Sequence, residues 1–541
     1  MNKLYFGDNL KILRDHVPSE SVDLVYLDPP FNSKRDYSVL FKTPKGHESD
    51  AQITAFEDSW EWGPQARDEF EEILRQSNTE VAEMMVSLRK FLKENAMMAY
   101  LTMMANRLLE LHRVLKPTGS LYLHCDPTAS HYLKIILDGV FGKENFRSEI
   151  SWKRSSAHSD AKQGRSIYGN IRDIIFFYTK GSDWKWNWDY TPYDQTYIDE
   201  FYYHLDEKTG RRYRLDNLTA AKPGGDVSYE FMGTKPYRGR YWAYSKANLE
   251  KFYNEGRLYF PKAGGTPAYK RFLDEMPGVP LQNDWQDIRP ISGNEYLGYK
   301  TQKPLALLER IINTSSNEGD MVLDPFCGCG TAVHAAQKLN RKWIGIDITH
   351  LAISLIEKRL KDSFPKEEKF FEVEGTPTSA DGAQDLAIRD KYQFQWWACS
   401  LVNAQPYQGK KKGSDGGIDG LIFFSDTLKD SKKIIVSVKG GENVGVTMVK
   451  DLIATVQREG AAIGLFVTLA KPTKPMLTEA LNAGLYESPL GTSFQKIQVL
   501  TVEGLLNGTE SAAYPDLSKG SLSFRKAGPE GKEGGTQERL I

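Results

Sequence analysis

The sequence predicts an α/β protein: a mostly parallel sheet covered by helices, followed by a second, smaller α/β domain. Three observations predict it. Short apolar, β-branched runs such as Val22-Asp23-Leu24-Val25-Tyr26-Leu27 alternate with helical patterns. Two such runs end in turn-forming segments, Asp28-Pro29-Pro30-Phe31 and Asp324-Pro325-Phe326-Cys327-Gly328-Cys329-Gly330. The same alternation resumes beyond a charged, then small-residue stretch near 361–383. With about 100–200 residues per domain, 541 residues make two to four domains.

The run 22–27 reads as a buried strand, and Asp-Pro-Pro ends it because proline brings no N–H to a ladder. Asn95 to Leu115 reads as a helix, stopped by Lys116-Pro117-Thr118-Gly119, after which Ser120 to His124 is a strand. Residues 182–293 are rich in Tyr, Trp, Gly and Pro without a sustained period and read as an insertion. Pro304 to Ile312 is helical; 321–324 a strand; 331–339 a helix; 342–347 a strand; 349–360 a helix. Further on, 391–404 and 446–458 read as helices, and 418–424, 433–439 and 462–468 as strands. The expected organisation is a first domain split into 1–181 and 294–362 around the insertion 182–293. A linker at 363–384, a second domain at 385–508 and a disordered tail at 509–541 complete it.

Composition narrows the function classes. Hydrophobic content of 40% and charged content of 26% are ordinary for a globular chain. No run suits a signal peptide or a membrane span, so the expectation is a prokaryotic cytoplasmic, nucleoid-associated protein without a membrane partner. The four cysteines make no disulfide framework, and no His/Cys spacing reads as zinc. Net charge of -1 argues against a generic nucleic-acid coat, but basic and aromatic residues interleave from Arg211 to Arg271. Arg211, Arg212, Arg238 and Arg240 in that region are candidate DNA contacts, since such mixtures grip phosphates by charge and bases by stacking. The other reading of the region is an ordinary solvated surface.

The glycine loop after strand 321–324 lies where a strand turns into a helix, with backbone N–H groups and a positive helix end offered to a ligand. Strand 342–346 then ends at Asp347, where an acid accepts hydrogen bonds from ribose hydroxyls. Strand, loop, helix, strand and acid together favour a nucleoside cofactor. The upstream Asp28-Pro29-Pro30-Phe31 suits an amino group on a flat ring: the Asp28 carboxylate and the Pro29 carbonyl each accept an amine proton, Pro30 helps to hold that carbonyl rigid, and Phe31 stacks on a base turned out of its helix. An exocyclic amine conjugated with its ring is a poor nucleophile, so orientation supplies much of the rate. The pair of segments points to methyl transfer onto a nucleobase amine.

In this order, Asp-Pro-Pro-Phe upstream of Asp-Pro-Phe-Cys-Gly-Cys-Gly resembles the β-class DNA amino-methyltransferases, including type III modification subunits, over roughly Met1 to Leu360. The resemblance implies a Rossmann-like sheet of seven strands, S-adenosyl-L-methionine as cofactor, double-stranded DNA as substrate, and target recognition by the stretch between clamp and loop. It further implies a homodimer and, as in type III systems, a separate restriction subunit. By the same resemblance Asp8 in Gly7-Asp8-Asn9-Leu10 sits near the cofactor adenine, and Lys303 in Lys300-Thr301-Gln302-Lys303-Pro304 begins the cofactor pocket. Asp324, Pro325, Phe326, Gly328, Gly330 and Thr331 form the cofactor loop, and Asp347 is the ribose-binding acid. Asp-Pro-Pro-Phe leans toward adenine N6, with cytosine N4 as the alternative.

In the second domain, an antiparallel pairing of 418–424 with 433–439 brings Asp419 opposite Lys439 and places Ser437 on the same face. Gly413 to Gly420 and Ser437 to Gly441 resemble the Mrr-like branch of the PD-(D/E)xK nucleases. That resemblance implies Asp419 on Mg²⁺ and Lys439 at the attacking water, and DNA cleavage fused to modification. Ser437 stands where the family has Glu, Asp or Gln, and a hydroxyl is a weaker Mg²⁺ ligand. The alternative is a salt bridge in a DNA-binding relic.

Overall fold

The computed structural model describes residues 1–530 apart from 31–35, 43–47, 58–60, 157–165, 167, 223–228, 263–264, 300, 368, 408–416, 428–430, 518–521 and 525–526. Over the described residues two compact units emerge: Met1–Asn187 with 283–530, and Trp188–Gln282.

The first unit is built on a sheet of nine strands: β1 Asn2–Phe6, β2 Val22–Leu27, β3 Leu115–Cys125, β4 Phe146–Lys153, β5 Arg172–Thr179, β6 Asp284–Trp285, β7 Met321–Asp324, β8 Lys342–Asp347 and β9 Phe371–Glu374. They run in the order β6-β4-β5-β3-β2-β7-β8-β1-β9. Only β5 is antiparallel to its neighbours. The central seven are the seven strands expected, and the short β6 and β9 extend them at the two edges. All six residues of β2 are buried, as a strand covered on both faces requires. Helices Ala96–Val114 and Leu305–Ser315 contribute to the two apolar layers that cover the faces.

Three expectations differ from the structure. The break at Lys116–Gly119 lies inside β3: Val22 is paired with Leu115 and Leu24 with Ser120, so a bulge absorbs Pro117 and Gly119. The expected linker at 363–384 contains β9, which pairs with β1, and the helix Ala380–Arg389. The expected disordered tail is held in place over its described part. Gln498 and Ala513 bond reciprocally through the Gln498 amide, Tyr514 packs on Phe424, and Ser523 Oγ bonds the Phe423 backbone N–H and C=O. Polar composition misled because these contacts are made by backbone and by single anchors rather than by a periodic apolar face.

The second domain within this unit is a five-stranded sheet ordered Gln405–Pro406, Gly420–Phe424, Lys432–Lys439, Ile463–Thr468, Ile497–Thr501. The helix Lys391–Leu401 packs against it and against the helix His350–Ser363 of the first domain. The separate unit Trp188–Gln282 has a four-stranded antiparallel sheet and its own small core of Leu218, Phe231, Trp242, Leu249 and Leu258. Its strands are two to six residues long, too short to print a period on the sequence.

Ending the chain after residue 508 is expected to lower Tm by about 2 °C, because losing these buried hydrogen bonds and the Tyr514 contact costs on the order of 2 kcal/mol. Scanning calorimetry of full-length and shortened protein checks this; equal melting temperatures would show that the tail contributes nothing.

Candidate active site

Parallel strands present their carboxyl ends on one edge of the sheet, and ligands of open α/β sheets bind there. Here β2 lies beside β7, β7 beside β8, and β8 beside β1. Val322 and Leu323 of β7 pair with Leu24 and Val25 of β2, Asp324 pairs with Gly345, and Phe6 pairs with Asp347. Asp28, Asp324, Asp347 and Asp8 therefore arrive at one cleft from segments far apart in sequence, and all four line it with Pro30, Pro325, Phe326, Gly328, Thr331 and Lys303. Phe31 lies outside the described residues.

The loop after β7 is tightly determined. Asp324 Oδ1 accepts the Phe326 N–H at 3.0 Å, and the Cys327 N–H donates to the Ile346 carbonyl at 3.0 Å. Gly330, with φ +76°, caps the helix Thr331–Lys338, and a Cβ there would meet Ile356 at 2.8 Å. At Gly328, with φ +54°, a Cβ would come within 3.3 Å of the Tyr299 ring on the cleft wall. Glycine is needed at both positions for conformation, and at Gly330 also for space. The Gly328 N–H donates to Asp347 Oδ2 at 2.9 Å, while Asp347 Oδ1 accepts the Thr349 N–H.

Burial raises the carboxyl of Asp324 to about 8, opposed by the Phe326 N–H and reinforced by the nearby Asp28 and Asp347 charges. Burial raises Asp347 to about 6, and the Thr349 and Gly328 N–H groups keep it from rising further. Lys303 Nζ donates to Asp28 Oδ2 at 2.5 Å, and Asp28 Oδ1 is buried without a hydrogen-bond partner among the described residues. Such a combination of strained carboxylates in a cleft marks functional sites.

Several participants were not legible in the sequence. Arg107, buried in the apolar helix Ala96–Val114, donates to Asp8 Oδ2 at 3.0 Å and to Asn9 Oδ1 at 2.6 Å. Asn9 in turn donates to the Pro325 carbonyl at 2.8 Å, tying the first helix to the cofactor loop. The one sequence signal was a charged residue inside an otherwise apolar helical face. Tyr26, on the cleft wall, lies 3.1 Å from His124 Nδ1, and His124 Nε2 lies 3.1 Å from Asp173 Oδ2, all of them buried.

In the second domain, Asp419, Ser437 and Lys439 lie together. Asp419 Oδ2 is 3.6 Å from Lys439 Nζ and accepts the Val438 N–H at 2.6 Å and Ser437 Oγ at 3.3 Å. Its Oδ1 accepts Gln395 Nε2 at 2.9 Å, a partner on helix Lys391–Leu401 that sequence reading missed. Both oxygens of the acid are thus engaged by protein donors. Among the described residues there is no cluster of three or more His, Cys, Asp or Glu able to hold a metal ion. Gly413 to Gly416 lie outside the described residues.

In the unit Trp188–Gln282, Arg211 binds Asp274 and Glu275, Arg212 binds Asp199, and Arg240 binds Thr219. The Arg211 and Arg212 contacts are ion pairs within the unit, and the Arg240 contact is a hydrogen bond to a hydroxyl. Lys235, Tyr237 and Arg238 of the turn between Phe231 and Arg240 are exposed.

The DNA methylase family matches residues 22–358, and a restriction endonuclease family matches residues 386–485. The type II methyltransferase M.EcaI of Enterobacter cloacae is 32% identical over 266 residues, 48% of this chain and 57% of that protein. The StyLTI Mod subunit of a type III restriction-modification enzyme from Salmonella typhimurium is 28% identical over 359 residues, 63% of this chain and 50% of that protein. The DNA adenine methyltransferase YhdJ of Escherichia coli K12 is 25% identical over 355 residues, 65% of this chain and 81% of that protein. This chain therefore spans less than two thirds of the length of the first two.

Asp324 keeps its proton in the folded chain up to about pH 8, whereas the unfolded chain loses it near 3.8. Its contribution to stability is fully present below the lower value and is lost as pH rises through the upper one, by at most about 1.4 kcal/mol per pH unit. Asp324→Asn is expected to remove that component, leaving the ligand-free variant the more stable at pH 8.5. Parallel Tm-versus-pH curves for the two proteins would contradict it.

Proposed function

Because this chain belongs to the DNA methylase family, we propose that it transfers a methyl group from S-adenosylmethionine to adenine N6 of a base flipped out of double-stranded DNA. The observation that carries this reading is the convergence of Asp28 with the glycine loop, Asp324 and Asp347 on adjacent strand ends around one cleft. Donor and acceptor sites share one cavity, as a direct transfer requires.

The residues fit such a cofactor. Gly328 on the cleft wall leaves room for close approach, Asp347 and Asp8 provide acceptors for hydroxyl and amine protons, and the carboxylates favour a cationic ligand. When bound, S-adenosylmethionine would supply an electrophilic methyl on a sulfonium. Asp28 lines the cleft and its buried Oδ1 has no hydrogen-bond partner among the described residues; that oxygen accepts an N–H of the target amine, turning its lone pair toward the donor and receiving the proton that nitrogen sheds. The name of the adenine methyltransferase relative and the Asp-Pro-Pro segment support adenine over cytosine.

The unit Trp188–Gln282 is proposed to recognise the target sequence, with Lys235, Tyr237 and Arg238 as exposed candidates for phosphate and base contact. We further propose a homodimer and, since one relative is named as the Mod subunit of a type III restriction-modification enzyme, a separate restriction subunit as partner.

A second reading, fused modification and Mg²⁺-dependent cleavage, is favoured by the restriction endonuclease match and the Asp419–Lys439 pair. Engagement of both Asp419 oxygens and the serine at 437 weigh against a competent metal site.

Asp28→Ala is expected to abolish methylation of plasmid DNA while leaving cofactor binding within about threefold, as titration calorimetry and methylation-sensitive sequencing would show. Continued methylation by this variant would remove Asp28 from the clamp. Unmethylated DNA incubated with the full chain and Mg²⁺ is expected to be cut weakly or not at all; robust cutting abolished by Lys439→Ala would establish the second reading instead.

A further inference from the structure

We propose that Lys303 is a positioning residue for the catalytic carboxylate: its ammonium pins Asp28 through Oδ2 so that Oδ1 alone faces the target amine. This rests on the methyl-transfer reading above and deepens it.

Four observations carry it. Lys303 Nζ lies 2.5 Å from Asp28 Oδ2, and the two side chains are only 10% and 18% exposed, so the pair is shielded from competing water. Asp28 Oδ1 is buried in the same cleft and has no hydrogen-bond partner among the described residues. An unmet buried acceptor is rare and calls for a ligand donor, and an amine N–H is the donor this reaction brings. Third, the lysine is fixed on both sides. The Gln302 amide donates to the Glu295 carbonyl and accepts the Leu297 N–H, both at 2.8 Å, and Pro304 caps the helix Leu305–Ser315. Fourth, its own carbonyl accepts Thr331 Oγ1 at 3.3 Å, joining it to the helix that follows the glycine loop.

A carboxylate held at one oxygen by a charged donor cannot rotate freely about its terminal torsion, which reduces the orientations available to the other oxygen. During transfer the amine nitrogen forms the new C–N bond, the S–CH₃ bond breaks with its electron pair left on sulfur, and the amine proton passes to Asp28. With Oδ2 facing an ammonium, that proton lands on Oδ1. The lysine touches neither reacting atom.

The test compares full-length wild type, Lys303→Met, Lys303→Gln and Lys303→Arg by single-turnover methylation of plasmid DNA and by calorimetric titration with S-adenosylmethionine. Met and Gln are each expected to slow the chemical step by about 100-fold with cofactor affinity changed less than about threefold, and Arg to recover at least about tenfold of that loss. In an Asp28→Asn background, Lys303→Met is expected to add no further loss, because its partner is already altered. A large fall in cofactor affinity with an unchanged transfer rate would overturn the proposal, as would losses that simply multiply in the double variant. Failure of the wild type to methylate any DNA would instead sink the methyl-transfer reading itself, and cofactor titration alone would then show Lys303 to be an ordinary pocket residue.

Discussion

Carboxylates gathered at the ends of neighbouring parallel strands repel one another, and burying them raises that cost further. Asp28, Asp324 and Asp347 are in this situation because β2, β7 and β8 lie side by side. Each is compensated differently: Asp28 by an ammonium, Asp347 by two backbone N–H groups, and Asp324 by keeping its proton near neutrality. Much of the surrounding architecture serves this arrangement. The sharp glycine loop, the return of Asn9 to the Pro325 carbonyl and the anchoring of Lys303 all hold charges apart or pair them. A cationic ligand relieves the same repulsion, so the cleft is organised around a charge that arrives from outside.

The parts of the site legible in the sequence are those where one residue type at one chain position has one physical meaning. Asp28 before two prolines and Asp347 at the end of an apolar strand mark strand ends, and the glycines at 328 and 330 mark backbone that a Cβ would obstruct. Sheet order follows from packing and could not be read, yet adjacency of β2 and β7 is what makes a single cleft. Arg107 and Gln395 stayed hidden for the same reason, since their partners lie 99 and 24 residues away. The arginine-rich stretch shows a pairing that composition cannot register. Composition registers a basic run, whereas the fold pairs Arg211 with Asp274 and Glu275, more than sixty positions later.

In the second domain the hairpin expectation placed Asp419 opposite Lys439, but Gly420 pairs with Val436. The register therefore sets Asp419 beside Ser437 at the end of its strand, and Lys439 reaches it with its long side chain, within ion-pair distance. What no periodicity could reveal is how fully that acid is occupied. An aspartate bonded by Gln395, Val438 and Ser437 and facing a lysine is well satisfied as it stands, so a divalent cation would have to displace existing bonds to enter.

The helix Lys391–Leu401 gives the molecule a shared wall. Within one turn, Gln393 accepts the His350 N–H beside the Asp347 corner, Gln395 reaches Asp419, and Trp396 seals against Leu351. The two family matches, ending at 358 and starting at 386, therefore meet at a seam of common structure. Grafting either half onto another enzyme as an independent cassette would leave an orphaned amide on one fragment and a bare indole on the other.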